Sequence, residues 1–479
     1  MLESSAHLQL KALLREEGAP RWPHHLSLSR LVGRSLRRSD HTVIRLASSS
    51  DPSWWISLLV PLALSDNPPA LVLRGESRRR LLNVDWPRLR AAGLAPALWE
   101  GVTAPSKRAL WLLQPGDLVQ AWQQGQLADR QLVIPEAEQL ETELRQALAI
   151  AIEPSDWEQL WRSHPQAEAS LSALHRRLSE RLLAAPGRGP RLVGVCPSDE
   201  APLRQLLALL ASLPEPWATW LKARDENWCS WARVDRTLLQ WHLVRQPLQP
   251  LRQLQGLFHN RGVVLLGDLI GDGADGARFG LTSPVEVALA DPPLQEALPL
   301  YAPRRQPLPN TPLFADHLLH QCRQLVLGQG GLTVVLVDDN NMRAALAAGL
   351  AAEFGTRVCH ETTAPESNGV LCASWSWWLA EHQRLPLPSQ MVVGLLPIAS
   401  LEDPLTAARV DQLRQQGRDW FRELLLPEAI ARLQRGLCGL RRRGGRLAIL
   451  DGRLRGRGWG SQVLRALDPW VELPRLLPD

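Results

Sequence analysis

Apolar positions in the first part of the chain fall in short solid runs, not in alternation. HTVIRLA (His41–Ala47), ALVLRG (Ala70–Gly75), ALWLLQ (Ala109–Gln114) and QLVI (Gln131–Ile134) are examples. Strands that are apolar on both faces predict a parallel sheet covered by helices on each side. Leu26–Leu36 has helical spacing, and Trp55–Leu64 reads as a buried helix after the turn residues of SSSDPS. From about Glu141 to Arg261 the pattern is mostly helical. It is broken by RLVGVC (Arg191–Cys196) and by WARVDRTLLQWHLV (Trp231–Val244), a candidate strand pair. GVVLLGD (Gly262–Asp268) restores the buried-strand pattern. The proline-rich Tyr301–Pro312 reads as a linker. Beyond it, LTVVLVDD, a helix over Arg343–Phe354, TRVCHE, GVLCAS, MVVGLLP and RLAILDGR repeat the strand–helix alternation. The expected fold class is α/β, with two tandem domains built on parallel sheets. Residues 1–140 and 262–300 form the first, with a mainly helical insertion at 141–261. Residues 301–312 link it to the second, 313–479.

Composition changes this picture in three places. The chain has 479 residues and a formal net charge of +5, which permits a nucleic-acid partner without requiring one. Its lysines are Lys11, Lys107 and Lys222, and the remaining basic residues are arginines; phosphate-binding loops need a lysine. The six cysteines include no CxxC spacing, so free buried thiols are expected, with no metal site and no iron–sulfur cluster. The longest apolar run, Trp54–Leu64, is too short to span a bilayer. The N-terminal stretch through Gly18 mixes both signs of charge and lacks the apolar core of an export signal, so a cytoplasmic protein without membrane contact is expected.

Several segments carry candidate chemistry. RLASSSDPSWWISLLVP places a small-residue turn between a strand and an apolar helix, the setting of a phosphate loop. Ser48, Ser49, Ser50 and Ser53 are its candidate nucleotide-binding residues. It has neither glycine nor lysine, Asp51 repels phosphate and Pro52 removes a donor, so a serine-capped helix start is the plainer reading. VIPEAEQL (Val133–Leu140) is a strand running into an acidic box, with Pro135 where a metal-binding aspartate would sit. Asp268, Asp272 and Asp275 lie in a glycine-rich loop without calcium-site spacing. Asp338 and Asp339 read as turn residues at a strand end. Trp375, Trp377 and Trp378 are candidates for stacking on bases, with core packing as the alternative. Arg435, Arg441, Arg442, Arg443 and Arg446 make a basic helix end able to face phosphates.

The order of these segments resembles the DinG/XPD-type superfamily-two ATP-dependent DNA helicases. The resemblance is most specific over Met391–Leu464. There Leu396, Pro397, Asp403, Pro404, Phe421, Arg422, Leu426, Pro427, Gln434, Arg441, Leu450, Asp451 and Arg453 match that family's second motor domain. In the same register, WPHHLSLSRLVGRSL looks like the adenine-recognition segment, with His24 and His25 where glutamines are usual. The serine loop takes the phosphate-loop position and VIPEAEQL the DEAH-box position. Gly267, Asp268 and Leu269 replace Ser-Ala-Thr. SWSWWLAEH keeps Trp378, while Leu379, Ala380 and His382 replace Glu, Gly and Asp.

The resemblance implies two RecA-like domains, ATP with Mg²⁺, and a DNA partner, single-stranded by preference. It also implies catalytic roles for Glu136, Gln434 and Arg441, with Arg442, Arg443 and the tryptophans on nucleic acid. The departures fall where ATP chemistry would be. The loop lacks glycine and lysine, Pro135 replaces the metal ligand, Cys438 replaces the phosphate-facing arginine, and the four cluster cysteines are absent. The expectation is a helicase-like nucleic-acid-binding protein with ATP hydrolysis lost or very weak. An atypical but active helicase and a protein-interaction scaffold on the same fold are the alternatives.

Overall fold

The computed structural model describes residues 2–16, 22–47, 50–105, 108–128, 130–184, 191–223, 227–259, 261–269, 274–289, 296–328 and 330–473. The chain divides into two compact units. The first comprises Met1–Ala47, Asp51–Ala290 and Ser400–Gly417; the second comprises Ser48–Ser50, Asp291–Ala399 and Arg418–Asp479. The expected division placed residues 291–300 in the first domain and 400–417 in the second; both stretches lie in the other unit.

In the first unit the solid apolar runs become β1 (Thr42–Leu46), β2 (Ala70–Val72), β3 (Leu98–Glu100), β4 (Leu110–Leu113) and β5 (Leu132–Ile134). Four further strands belong to the insertion: β6 (Ile150–Ile152), β7 (Arg191–Gly194), β8 (Trp228–Asp235) and β9 (Gln240–Pro247). The chain then returns with β10 (Val263–Gly267) and β11 (Val285–Leu289). The main sheet has the order β11-β1-β10-β5-β2-β4-β3, with parallel pairing throughout. Its strands alternate between two cores. Val264 and Leu266 of β10 join one cluster, and Val263 and Leu265 join the other. A period of two with apolar residues on both faces is what produces the unbroken runs.

The insertion combines several helices with an antiparallel sheet of order β6-β9-β8-β7, and the expected strand pair is its β8–β9 hairpin. One face buries Trp157, Trp217, Trp220 and Trp241 against helices. The helix Pro404–Gln415 packs near β8 and β7, and the Cys229 thiol donates to the Pro404 carbonyl at 3.5 Å. Residues 400–417 therefore sit with the first unit, although the sequence places them in the second domain. Asp403 starts that helix by accepting from the Thr406 amide at 2.8 Å and the Thr406 hydroxyl at 2.6 Å. Burial, reinforced by the Asp403 charge, pushes the Cys229 thiol up to about 12. The cysteines are free, but they do not share one environment: Cys322, Cys372 and Cys438 are buried, while Cys196 is exposed.

The second unit holds β12 (Leu298–Tyr301), β13 (Thr333–Leu336), β14 (Val358–His360), β15 (Val370–Ala373), β16 (Gln390–Val393), β17 (Arg446–Ile449) and β18 (Trp470–Glu472). They form a parallel sheet of order β14-β15-β13-β16-β17-β12-β18. Thus β12, expected in the first domain and linker, is a strand of the second sheet. Asp339 accepts from the Met342 amide at 2.7 Å and caps the helix Asn340–Phe354, as its turn-residue reading implied.

Asp451, just past β17, is fully buried. It accepts from the Leu396 amide at 2.9 Å and from Arg453 through the backbone N–H at 2.9 Å and Nη2 at 2.6 Å. One carboxylate thus joins the LP segment to the ILDGR segment. Removing it leaves a buried amide and a guanidinium without an acceptor, a change worth roughly 3–5 kcal/mol. Asp451→Ala is expected to lower the free energy of unfolding of the second unit, measured by urea titration, by that amount, and Arg453→Lys to cost less.

Candidate functional site

At the phosphate-loop position, β1 ends at Leu46 and the helix Trp54–Ala63 begins after a short turn. Ser48 and Ser49 lie outside the described residues. Ser50 is buried. Asp51 Oδ1 accepts from the Ser53 amide at 2.8 Å. Ser53 stands at the helix start but makes no side-chain capping bond. The expected serine cap is therefore replaced by an aspartate, whose charged oxygen is the stronger acceptor for an amide at a helix N-terminus. Ser53 Oγ lies 3.4 Å from His25 Nε2, and His25 Nδ1 lies 2.6 Å from Ser57 Oγ. The Trp22 ring meets His25 edge-on at 5.4 Å. His25 is a buried strut between two helices.

At the acidic-box position, β5 ends at Ile134 and Pro135 follows. Glu136 adopts φ 55°, a left-handed conformation that costs a glutamate about 1–2 kcal/mol. Its carboxylate accepts a short hydrogen bond from Ser77 Oγ and lies 3.5 Å from Arg74 Nε. Arg74 also donates to Gln139, and to Glu76 at 3.1 Å. Glu138 reaches the end of β10, where its carboxylate accepts from the Asp268 amide at 3.2 Å. Gly267 has φ 153°, and any Cβ there would fall on the Glu138 carboxylate. In the glycine-rich loop that follows, Asp272 lies outside the described residues, as does the Asp275 side chain.

The short helix Gly75–Arg80 connects both positions. At its start, Arg74 and Ser77 hold Glu136. At its end, Arg80 donates to the Pro52 carbonyl at 3.1 Å and pairs with the fully buried Asp85 at 3.2 Å. The cations near the two motif positions are thus arginines already paired with Glu76, Glu136 and Asp85. Among the described residues, no cluster of three His, Cys, Asp or Glu side chains is arranged to hold a metal.

No protein-family model matches the chain. Among curated proteins it is 30% identical over 179 residues to the ATP-dependent DNA helicase YoaA of Escherichia coli, a stretch covering 35% of this chain and 28% of that protein. It is 33% identical over 105 residues to YoaA of Haemophilus influenzae, covering 21% of this chain and 16% of that one. The matched stretch therefore spans less than a third of either relative. In fold, the chain is similar to the structure of S. tokodaii Xpd4, with a TM-score of 0.62 at 11% identity over 92% of this chain and 97% of that one. A second XPD helicase structure gives 0.62 at 11% identity over 94% and 99%. The chain is related to the superfamily-two helicases of the XPD/DinG type. Its two parallel seven-stranded sheets are the tandem RecA-like domains of that fold.

The helicase-motif residues of the second unit have internal partners. Gln434 Nε2 donates to the Ala466 carbonyl at 2.9 Å. Arg441, which was expected in a catalytic role, donates to the Leu467 carbonyl and, at 3.5 Å, to the Pro469 carbonyl. Both residues satisfy carbonyls where the helix Gly460–Ala466 ends. Burial moves the Arg441 guanidinium below its usual range. Trp375 and Trp378 are each 1% exposed, which removes them as stacking platforms. Their indole N–H groups donate to the Leu395 and Gly436 carbonyls at 2.9 and 3.0 Å. Gly436 is needed for this packing, since a Cβ there would come within 2.8 Å of the Trp375 ring. Trp377 is half-buried against the same core. Arg442 and Arg443 remain exposed, with Arg443 Nη1 donating to the Leu387 carbonyl at 2.7 Å.

His382, at the place of a motif aspartate, directly follows the helix Trp375–Glu381. Its Nδ1 lies 3.2 Å from the carbonyls of Trp378 and Leu379. Burial, aided by the Arg435 charge, lowers its pKa from 6.5 to about 4. Between those values the unfolded chain binds more protons than the folded one, so acidification through this window removes stability. His382→Gln is expected to flatten the fall in urea midpoint between about pH 6.5 and pH 4; an unchanged slope would assign that fall to other groups.

Proposed function

We propose that this chain is a cytoplasmic, helicase-fold protein that binds nucleic acid, single-stranded DNA by preference, and does not hydrolyse ATP at an appreciable rate. Relatedness to proteins named as ATP-dependent DNA helicases supports the DNA partner. Among the described residues, no helix is long and apolar enough to cross a membrane. The reading against hydrolysis rests on one observation: Asp51 accepts the Ser53 amide where a phosphate-binding helix would offer that amide to its ligand. The other parts agree. Lysine is missing from the loop, Pro135 brings no oxygen to a metal, and Glu136 is paired with Arg74. The residues at these positions do not fit ATP·Mg²⁺, and no catalytic step is derived through it. Glu136, Gln434 and Arg441 serve as internal supports in this reading, while Arg442 and Arg443 are the arginines that meet the phosphate backbone. A protein partner that recruits the chain to DNA is compatible with it.

Titrating a fluorescent ATP analogue with Mg²⁺, with and without single-stranded DNA, is expected to give no saturable binding in the micromolar range, with DNA affinity intact. Saturable binding together with DNA-stimulated hydrolysis would instead make the chain an atypical active helicase. Loss of all DNA binding, with a stable protein complex recovered, would make it a scaffold.

Arg442→Ala combined with Arg443→Ala is expected to weaken single-stranded DNA binding. The dependence of log affinity on log salt should flatten by about 1.4, the value for two lost phosphate contacts on a single strand. An unchanged slope would place the DNA elsewhere.

A further inference from the structure

The insertion's antiparallel sheet carries apolar side chains on both faces, and the two faces are covered from different parts of the chain. Ala232 and Val234 of β8 and Leu243 of β9 point into the tryptophan core. By alternation Cys229 and Trp231 point the other way, and strand pairing sets Gly194 and Val244 on either side of Trp231. Trp231 is only 7% exposed. The element on this side is the helix Pro404–Gln415. The Cβ position of Gly194 lies 3.9 Å from Pro404 Cβ, and the Cys229 thiol donates to the Pro404 carbonyl. One turn apart on this helix, Thr406 and Val410 are its buried residues.

By sequence that helix is foreign to the insertion. The chain leaves the second unit at Ser400 and rejoins it at Arg418. Both connections are exposed, through Leu401 and Glu402 on one side and through Gln416 and Gly417 on the other, where Gly417 turns the chain at φ 70°. The helix has 12 residues, a length that is marginal for a helix alone in water. It keeps its shape because Asp403 caps it and because it is docked. The dock is small. It consists of two buried side chains and one thiol hydrogen bond, with the Arg409 charge acting on Glu141. Contacts of that size open far more often than a domain core.

We propose that the helix Pro404–Gln415 is a releasable strap, which at rest ties the 400–417 stretch to the outer face of the insertion sheet and on release uncovers Trp231 and Cys229. Release and melting of the helix are one event, because the dock is what keeps it helical. The strap decides whether the insertion is fastened to a stretch whose neighbours in sequence, on both sides, belong to the second unit. It is independent of the nucleic-acid-binding reading above.

The test uses the full chain. Amide hydrogen exchange in wild type is expected to be at least about a hundredfold faster in the last two turns of this helix than in the buried strands β13 and β16. Gly194→Cys combined with Pro404→Cys, made together with Cys196→Ser and Cys229→Ser to remove competing thiols, sets two thiols at a Cβ separation within the roughly 3.5–4.5 Å of a disulfide. When oxidised, this variant is expected to exchange the helix amides at least about tenfold more slowly than in its own reduced form. In a separate variant, Val410→Asp should speed alkylation of Cys229 by iodoacetamide at least about tenfold, read by peptide mass spectrometry. Cys322 and Cys372, buried in the second unit, should stay protected. Equal exchange in the oxidised and reduced forms would overturn the proposal, as would failure of the two introduced thiols to join in the folded protein. Exchange of the wild-type helix as slow as that of β13 would make it a fixed part of the fold and overturn it too. If Val410→Asp unfolds the whole chain, Cys322 and Cys372 react as well, and the crosslink comparison decides.

Discussion

The start of a helix attracts negative charge, and in the first unit that charge is supplied by the chain itself. Asp51 accepts from the Ser53 amide at 2.8 Å. Arg80 joins the Pro52 carbonyl to the buried Asp85, and Arg74 joins Glu136 to Glu76. A phosphate entering the loop would meet the Asp51 carboxylate at close range. Two like charges about 4 Å apart repel by about 4 kcal/mol at the effective dielectric of a protein surface. The attraction of the helix start for an anion is about 0.3–1 kcal/mol. Repulsion is the larger effect, and no lysine of the loop stands ready to offset it.

Much of this fold is legible in the sequence because its strands are buried on both faces. Runs such as Val263–Leu266 and Val334–Val337 admit few other readings once turn residues bound them. The insertion is less legible. β6 is three residues long with its middle residue open to solvent, so it does not stand out from its helical surroundings, whereas β7 falls in the RLVGVC break. The helix Pro404–Gln415 is visible in sequence, but its placement beside β8 depends on contacts between segments far apart in the chain.

The candidate site was legible in what it lacks more than in what it contains. Missing glycine, lysine and metal aspartate can be read residue by residue. The arginines of Gly75–Arg80 could not, because Arg74 meets Glu136 and Arg80 meets Pro52 only once the sheet is assembled. The tryptophans erred in the opposite direction. Composition does not separate a packed indole from an exposed one. The available signal was Gly436, whose missing Cβ makes room for the Trp375 ring.

The uneven resemblance to helicases has a physical explanation in the same contacts. Asp451 holds Leu396 and Arg453, Gln434 holds Ala466, and Arg441 holds Leu467. Each of these three residues satisfies a backbone or charged group within its own unit, and replacing it would leave a polar atom without that partner. The groups missing from the phosphate-loop and acidic-box positions would carry no such internal duty. A phosphate-loop lysine and a metal-binding aspartate interact with a nucleotide complex, so a chain that binds none loses nothing of its fold when they change. Sequence likeness concentrated at Met391–Leu464 is therefore evidence for the architecture of the second unit. It carries little weight for hydrolysis, because it lies away from the phosphate-loop and acidic-box positions of the first unit.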